Sequence, residues 1–155
     1  MTAPSDARTR LGLAGLERLA EERGDITAEA LERYYVRMPE ARRSFEYHGL
    51  DDVAGLEARM VSETVFLLLR WIEDRSATMI DQGSTIVHHN DALEIGPRWY
   101  MGLVDAVLEV LLETIPAGAE AERRLWSDVR GEIAVFVDSL RHEFVRIVDR
   151  EPLAS

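Results

Sequence analysis

Apolar residues recur every three or four positions along most of this chain, and no stretch alternates in the way that makes a strand. Leu11, Leu13, Leu16 and Leu19 predict a short first helix that stops near Gly24. The next start is marked by Thr27 as N-cap, with Ile26 before it and Leu31 after it forming a hydrophobic staple. That helix carries Tyr34 and Tyr35 and runs to Met38. Pro39 cannot extend it but can open a short third helix, which reaches about Phe45 and ends at His48-Gly49. Asp51-Asp52 begins a long helix with Val53, Leu56, Met60, Thr64, Leu67, Leu68 and Trp71 on one side, broken at Arg75-Ser76. A weaker helix follows from Ala77 to His89, and Gly83 inside it lowers its stability by about 1 kcal/mol relative to alanine. Asn90-Asp91 reads as a turn. Pro97 opens a strongly apolar helix through Ile115, stopped by Pro116-Ala117-Gly118. The last helix carries Leu125, Trp126, Val129, Ile133, Phe136, Leu140, Phe144 and Ile147 and ends near Arg150. Seven or so helices of unequal length, the third very short, predict an all-α fold unlike an up-and-down bundle.

Charge and composition narrow the partners. The chain has 155 residues, enough for one core, and divides into a flexible N-terminus (1–10), a single domain (11–150) and a disordered tail (151–155). With 46% hydrophobic and 30% charged residues it reads as a soluble globular protein. Its 29 acids against 18 bases leave a net charge of −11, which repels phosphate backbones and anionic lipids, so neither nucleic acid nor membrane is an expected partner. The absence of cysteine excludes disulfides, thiolate metal sites and thioether-linked pigments, and fits a cytoplasmic protein. The N-terminus lacks the apolar core of a signal peptide, and the longest apolar run, Val65 to Leu69, is too short to span a bilayer.

Candidate chemistry centres on His88-His89. The pair lies near a helix end, and Pro97 follows eight residues after His89, leading into Arg98-Trp99-Tyr100-Met101-Gly102. An imidazole at the end of one helix, facing the start of another, is how a helical protein can hold a haem iron. Successive helix positions point about 100° apart, so only one of the two histidines can face such a site. The alternative is a pair that merely complements the dipole of a helix C-terminus. His48 falls in a loop with no assigned chemistry, and Asp51-Asp52 reads as a helix start rather than a metal site. Glu29 and Glu32 beside Arg33 read as an ion-paired exterior face. There is no glycine-rich phosphate loop, His-Glu-x-x-His or nucleophile elbow, so the chain is not expected to be an enzyme.

Four segments carry a resemblance. Pro39-Glu40-Ala41-Arg42-Arg43-Ser44-Phe45 resembles the globin segment in which a proline opens a short helix and a phenylalanine six residues on stacks on the haem. His89-Asn90-Asp91-Ala92-Leu93-Glu94-Ile95-Gly96-Pro97 is similar to the run that follows the proximal histidine. Pro97-Arg98-Trp99-Tyr100-Met101-Gly102 looks most like the bacterial globin-coupled sensors, and Trp126 sits where the last globin helix often has its tryptophan. Together they resemble the globin superfamily over roughly residues 10 to 148.

That resemblance implies a globin-like fold of seven or so helices around a haem-type pocket, holding haem b between the long fourth helix and the weak fifth. His89 would be the iron ligand and Phe45 the stacking aromatic. Leu31 or Tyr35 would line the distal side from the second helix, and Leu56, Glu57, Met60 and Val61 from the long one, with Tyr100 contributing from the helix after Pro97. The sensor spacing, one residue shorter, puts Asn90 in the ligand position, whereas the longer spacing of other globins puts His89 there; both registers stand at this point. Glu57 is expected to face solvent, leaving a hydroxyl of Tyr34 or Tyr35 as the only donor to bound oxygen. Arg98 could meet a haem propionate or water.

The implied function is binding of a diatomic gas (oxygen, carbon monoxide or nitric oxide) as a sensor. The helices after Pro97 and Gly118 could form a homodimer, and a separate signalling partner would supply the output. The alternative is a globin fold without haem, holding a small apolar molecule such as a fatty acid. Haem-based nitric oxide or peroxide chemistry, which would need a reductase partner, is a third reading.

Overall fold

A computed structural model describes residues 4–93 and 95–143, whose regular elements are all helices. The helices are α1 (Pro4–Arg23), α2 (Thr27–Arg37), α3 (Pro39–Gly49), α4 (Val53–Glu73), α5 (Arg75–Leu93), α6 (Pro97–Glu113) and α7 (Glu120–Ser139), with a 3-10 turn at Arg141–Glu143. No strand occurs among the described residues. None of their helices is long and apolar enough to cross a membrane. The expected extension of the last helix through Phe144 and Ile147 to Arg150, and the tail 151–155, lie outside the described residues.

Most helix boundaries have an identifiable local cause, and several differ from the predicted ones. Helix α1 starts at Pro4, inside the segment expected to be flexible, and is tied down early by Arg8, which pairs with Glu132 on α7 at 2.7 Å. The start of α2 is capped by Asp25 rather than by Thr27: both the hydroxyl and the N–H of Thr27 donate to Asp25 Oδ1, at 2.6 and 2.9 Å. Those two bonds hold the Asp25 carboxyl below its ordinary value. Ile26 and Leu31 are both in the core. Asp52 caps α4 by accepting from the Gly55 N–H at 2.9 Å.

The break between α4 and α5 falls at Asp74, not at Arg75-Ser76. Asp74 ends α4 and its carboxylate accepts from the Ala77 N–H at 3.1 Å, starting α5 at once. At the other end α5 continues through Asn90-Asp91, where a turn was predicted. Asn90 is fully buried and its amide donates to Asp91 Oδ1 at 2.9 Å, so burial overrides the turn preference of those residues.

Helix α1 packs on α4 and α7, α2 lies against α3, α4 and α6, α6 pairs with α7, and α5 rests on α4 with edges against α6 and α7. The central core is Leu68, Val104, Val107, Val110, Leu111, Trp126, Val129 and Ile133. The close passage of α6 over α2 depends on Gly102, where a Cβ would lie 3.1 Å from both the Tyr34 ring and the Met38 methyl. On the other side Glu122 of α7 is buried, pairs with Arg18 of α1 and accepts from Trp126 Nε1 at 3.4 Å.

Candidate functional site

Sequence spacing puts Gln82, Thr85 and His89 on one face of α5, at i, i+3 and i+7. It puts Ala41, Ser44, Phe45 and His48 on one face of α3 in the same way. The fold turns both faces toward a single cavity of about 230 Å³ that opens to solvent. Helix α4 supplies Leu56, Met60, Glu63, Thr64 and Leu67 to its wall. Tyr34 comes from α2, and Trp99, Tyr100 and Leu103 come from α6, with Leu93 and Ile95 beside the α5–α6 connection. The lining is mostly apolar, with a small number of polar groups, which is the usual make-up of a small-molecule site.

His89 is half-buried on this wall, and its Nδ1 lies 2.7 Å from the Thr85 carbonyl oxygen one turn back. A carbonyl oxygen has no proton, so Nδ1 must donate, and in the neutral ring Nε2 is left with a free lone pair. The Ile95 N–H returns to the His89 carbonyl at 2.8 Å and fastens the end of α5 at this point. His88 is exposed and Asn90 is fully buried outside the lining, so of the three successive residues only His89 faces the cavity.

The other side chains singled out from the sequence separate into two groups. Phe45, Leu56, Met60, Tyr100 and His89, drawn from four helices, line the same cavity. Leu31 and Tyr35 do not. Leu31 is packed in the core. Tyr35 is turned aside by its hydroxyl, which donates to Glu57 Oε2 at 2.7 Å, and by the Arg42 guanidinium, 4.5 Å from its ring centre. Glu57 and Val61 also lie outside the lining, Glu57 engaged by Tyr35 and Val61 buried in the core.

Tyr34 does reach the wall, but its hydroxyl donates to the Trp99 carbonyl at 3.0 Å. The Tyr100 hydroxyl donates to Gln82 Oε1 at 2.9 Å, linking α6 to α5. Burial pushes both phenols above their ordinary pKa, and for Tyr100 the Glu63 carboxylate adds to the shift, so both keep their protons and spend them on these partners. Tyr35 is shifted the same way by burial and by Glu57.

His48, read from the sequence as a loop residue, belongs to the last turn of α3 and lines the cavity. Its Nδ1 is 2.9 Å from the Ser44 carbonyl oxygen and 3.3 Å from the Ser44 hydroxyl. Gln82 and Trp99 were also not singled out as site residues. The signal was available in the i, i+3, i+7 spacings, but it becomes visible only once α3 is carried through His48.

The donor set bears on what the cavity could hold. Among the described residues no three His, Cys, Asp or Glu side chains gather to hold a bare metal ion. His89, with Nδ1 committed to the Thr85 carbonyl, could offer its other ring nitrogen to a metal that brings its remaining ligands with it, as a porphyrin iron does. No protein family, curated protein or solved structure matches the chain.

Proposed function

We propose that this chain is a haem-binding protein of globin type that takes up a diatomic gas and works as a sensor or signalling module. The observation that carries this reading is His89, whose Nδ1 is committed to the Thr85 carbonyl at 2.7 Å while the ring borders an apolar cavity. The backbone bond orients the ring and fixes which nitrogen is uncommitted, as hydrogen bonds to the second nitrogen of metal-binding imidazoles do. Two further features support it. Helix α2 crosses α6, α6 pairs with α7, and α1 packs on α4 and α7, an arrangement compatible with a globin-like fold. Phe45, six residues after the proline that opens α3, reaches the same cavity as His89.

His89 would hold the group from the α5–α6 side, Phe45 would stack on it, and Leu56 and Met60 would keep the opposite face dry. When bound, haem would supply an iron able to take up a diatomic gas. Because the Tyr34 and Tyr100 hydroxyl protons are already given to protein acceptors, neither phenol is a donor to that gas. Neither phenol would therefore tilt the site toward oxygen, whose bound form carries more negative charge than carbon monoxide.

The test is an absorption spectrum of protein purified with haem supplied. A Soret band lost in His89→Ala and kept in His88→Ala supports the reading, and absence of the band after haem reconstitution overturns it. The cavity volume of about 230 Å³ favours, as a second reading, a haem-free module holding a smaller apolar molecule. Retention of such a molecule through purification, without a Soret band, would decide for it.

A further inference from the structure

We propose that the cavity takes a neutral single-ring phenol with a short apolar arm, its ring held among aromatic side chains and its hydroxyl bonded to histidine lone pairs and N–H groups of the wall. The proposal rests on the haem-free reading above and gives that reading its ligand class.

Size and lining select the ring. An apolar cavity of about 150 Å³ accommodates benzene. This one, at about 230 Å³, has room for a ring with a two-carbon arm. Phe45 borders it from α3, and Trp99 and Tyr100 border it from α6. Aromatic rings attract a bound ring beyond what apolar contact alone gives, and the Met60 sulfur on the same wall adds to the attraction. An aliphatic chain of equal volume gains neither.

Charge selects a neutral molecule. Among the described residues that line the cavity there is no arginine or lysine, and Glu63 brings a carboxylate. A carboxylate or phosphate on the ligand would enter without an opposite charge and bear the desolvation cost of an unpaired ion.

The remaining polar groups select a hydroxyl. His48 and His89 each donate Nδ1–H to the carbonyl of the residue four positions earlier, Ser44 at 2.9 Å and Thr85 at 2.7 Å. In the neutral ring each Nε2 is then a lone pair that can only accept. The lining also carries donors. The Gln82 amide keeps its N–H after its oxygen has accepted the Tyr100 hydroxyl at 2.9 Å, and Trp99 brings an indole N–H. The Tyr34, Thr64 and Thr85 hydroxyls donate to backbone carbonyls. A phenolic hydroxyl meets both kinds of partner, because it donates one hydrogen bond and accepts others. An ether meets only the donors, and a hydrocarbon meets neither.

Calorimetry on the haem-free chain tests this with para-ethylphenol and para-ethyltoluene, in which a methyl replaces the hydroxyl at nearly the same size. The phenol should bind about tenfold more tightly, the scale of one hydrogen bond. Equal or tighter binding of the toluene overturns the proposal. Para-ethylbenzoate and n-hexanol should each bind at least about tenfold more weakly than the phenol. Parity with the benzoate overturns the choice of a neutral ligand, and parity with hexanol overturns the choice of a ring.

Nitrogen-15 NMR reads the hydroxyl contact. Para-ethylphenol should shift Nε2 of His48, His89 or both, and leave the exposed His88 unmoved. No shift at either cavity histidine overturns the proposal. Replacing both (His48→Leu with His89→Leu) should cut the preference for the phenol to below about twofold. A preference that survives overturns the role of the lone pairs, and if this variant fails to fold the NMR measurement carries the test. A Soret band after haem is supplied overturns the haem-free reading and this proposal with it. No Soret band and no preference for the phenol overturns the ligand class alone.

Discussion

The two sides of this molecule use similar apolar residues to opposite ends. Where α1, α6 and α7 meet, Val107, Val110, Leu111, Trp126, Val129 and Ile133 are sealed from solvent, and the buried carboxylate of Glu122 is paired with Arg18 and bonded to Trp126. Where α3, α4, α5 and the start of α6 meet, Phe45, Leu56, Met60 and Tyr100 remain half-buried around an open space. The difference lies in what the helices carry. On the closed side, valine and leucine at every core-facing turn let the helices interlock. On the open side, bulky rings at Phe45, His48, His89, Trp99 and Tyr100 hold the walls apart, with Nδ1 of each histidine and the Tyr100 hydroxyl tied to backbone or side-chain partners. Apolar surface held open in this way is what a bound ligand would cover.

The contrast can be tested directly by truncating one leucine on each side. Leu111→Ala in the sealed core should lose about 3 kcal/mol, because it leaves a cavity where there was none. Leu56→Ala, bordering space that is already open, should lose less than about 1 kcal/mol. Urea unfolding of the two variants measures both, and equal losses would remove the distinction between the two sides.

An intermediate effect is expected at Glu132, whose Oε1 accepts from Arg8 at 2.7 Å, Trp71 at 2.9 Å and Arg75 at 3.2 Å, joining α1, α4, α5 and α7. Burial by itself would raise this carboxyl, but the bonds from Arg8, Trp71 and Arg75 outweigh it and hold the group below its ordinary value of 4.5. A depressed carboxylate stabilises the fold above its unfolded pKa and loses that contribution as pH falls through the folded one. Wild type should therefore exceed Glu132→Gln in stability at neutral pH, with the gap closing as pH falls below 4.5. A gap that stays constant down to pH 3 would show that the carboxylate charge is not what joins these helices.

The smallest effect, and of opposite sign, is expected at Gly83 in α5. A Cβ there would meet only Phe136 and Leu140, at the ordinary contact distances of 3.8 and 3.9 Å. Gly83→Ala should therefore stabilise the protein by about 0.5–1 kcal/mol, through helix propensity and a less flexible unfolded chain. Thermal melting reads the change, and a destabilisation would mean that α5 needs the glycine to sit correctly beside the cavity.

The helical character of every segment was legible because a period near 3.6 is a local property of the chain. Pro39 and Pro97 as helix openers, Asp52 as a cap, and the apolar faces of α4, α6 and α7 all follow from residues within a turn or two of each other. The errors came where distant contacts overrule local preference. Asn90-Asp91 has turn chemistry and is helical because Asn90 is buried. Tyr35 has the spacing of a pocket residue and is drawn away by Glu57, twenty-two positions on.

The same division holds for the candidate site. His89 and Phe45 were marked by a resemblance to globin segments, which rests on their distances from Pro97 and Pro39. The choice among His88, His89 and Asn90 was a question of helical rotation, about 100° per residue, and no local signal measures rotation against a neighbouring helix. Tertiary packing sets that rotation, turning His88 to solvent, Asn90 into the interior and His89 to the cavity. Packing likewise brought His48 onto the wall, because α3 extends one turn further once its face has α4 to rest on. Secondary structure and candidate chemistry were thus written in short-range order, whereas which side chains share a cavity depended on where whole helices come to lie.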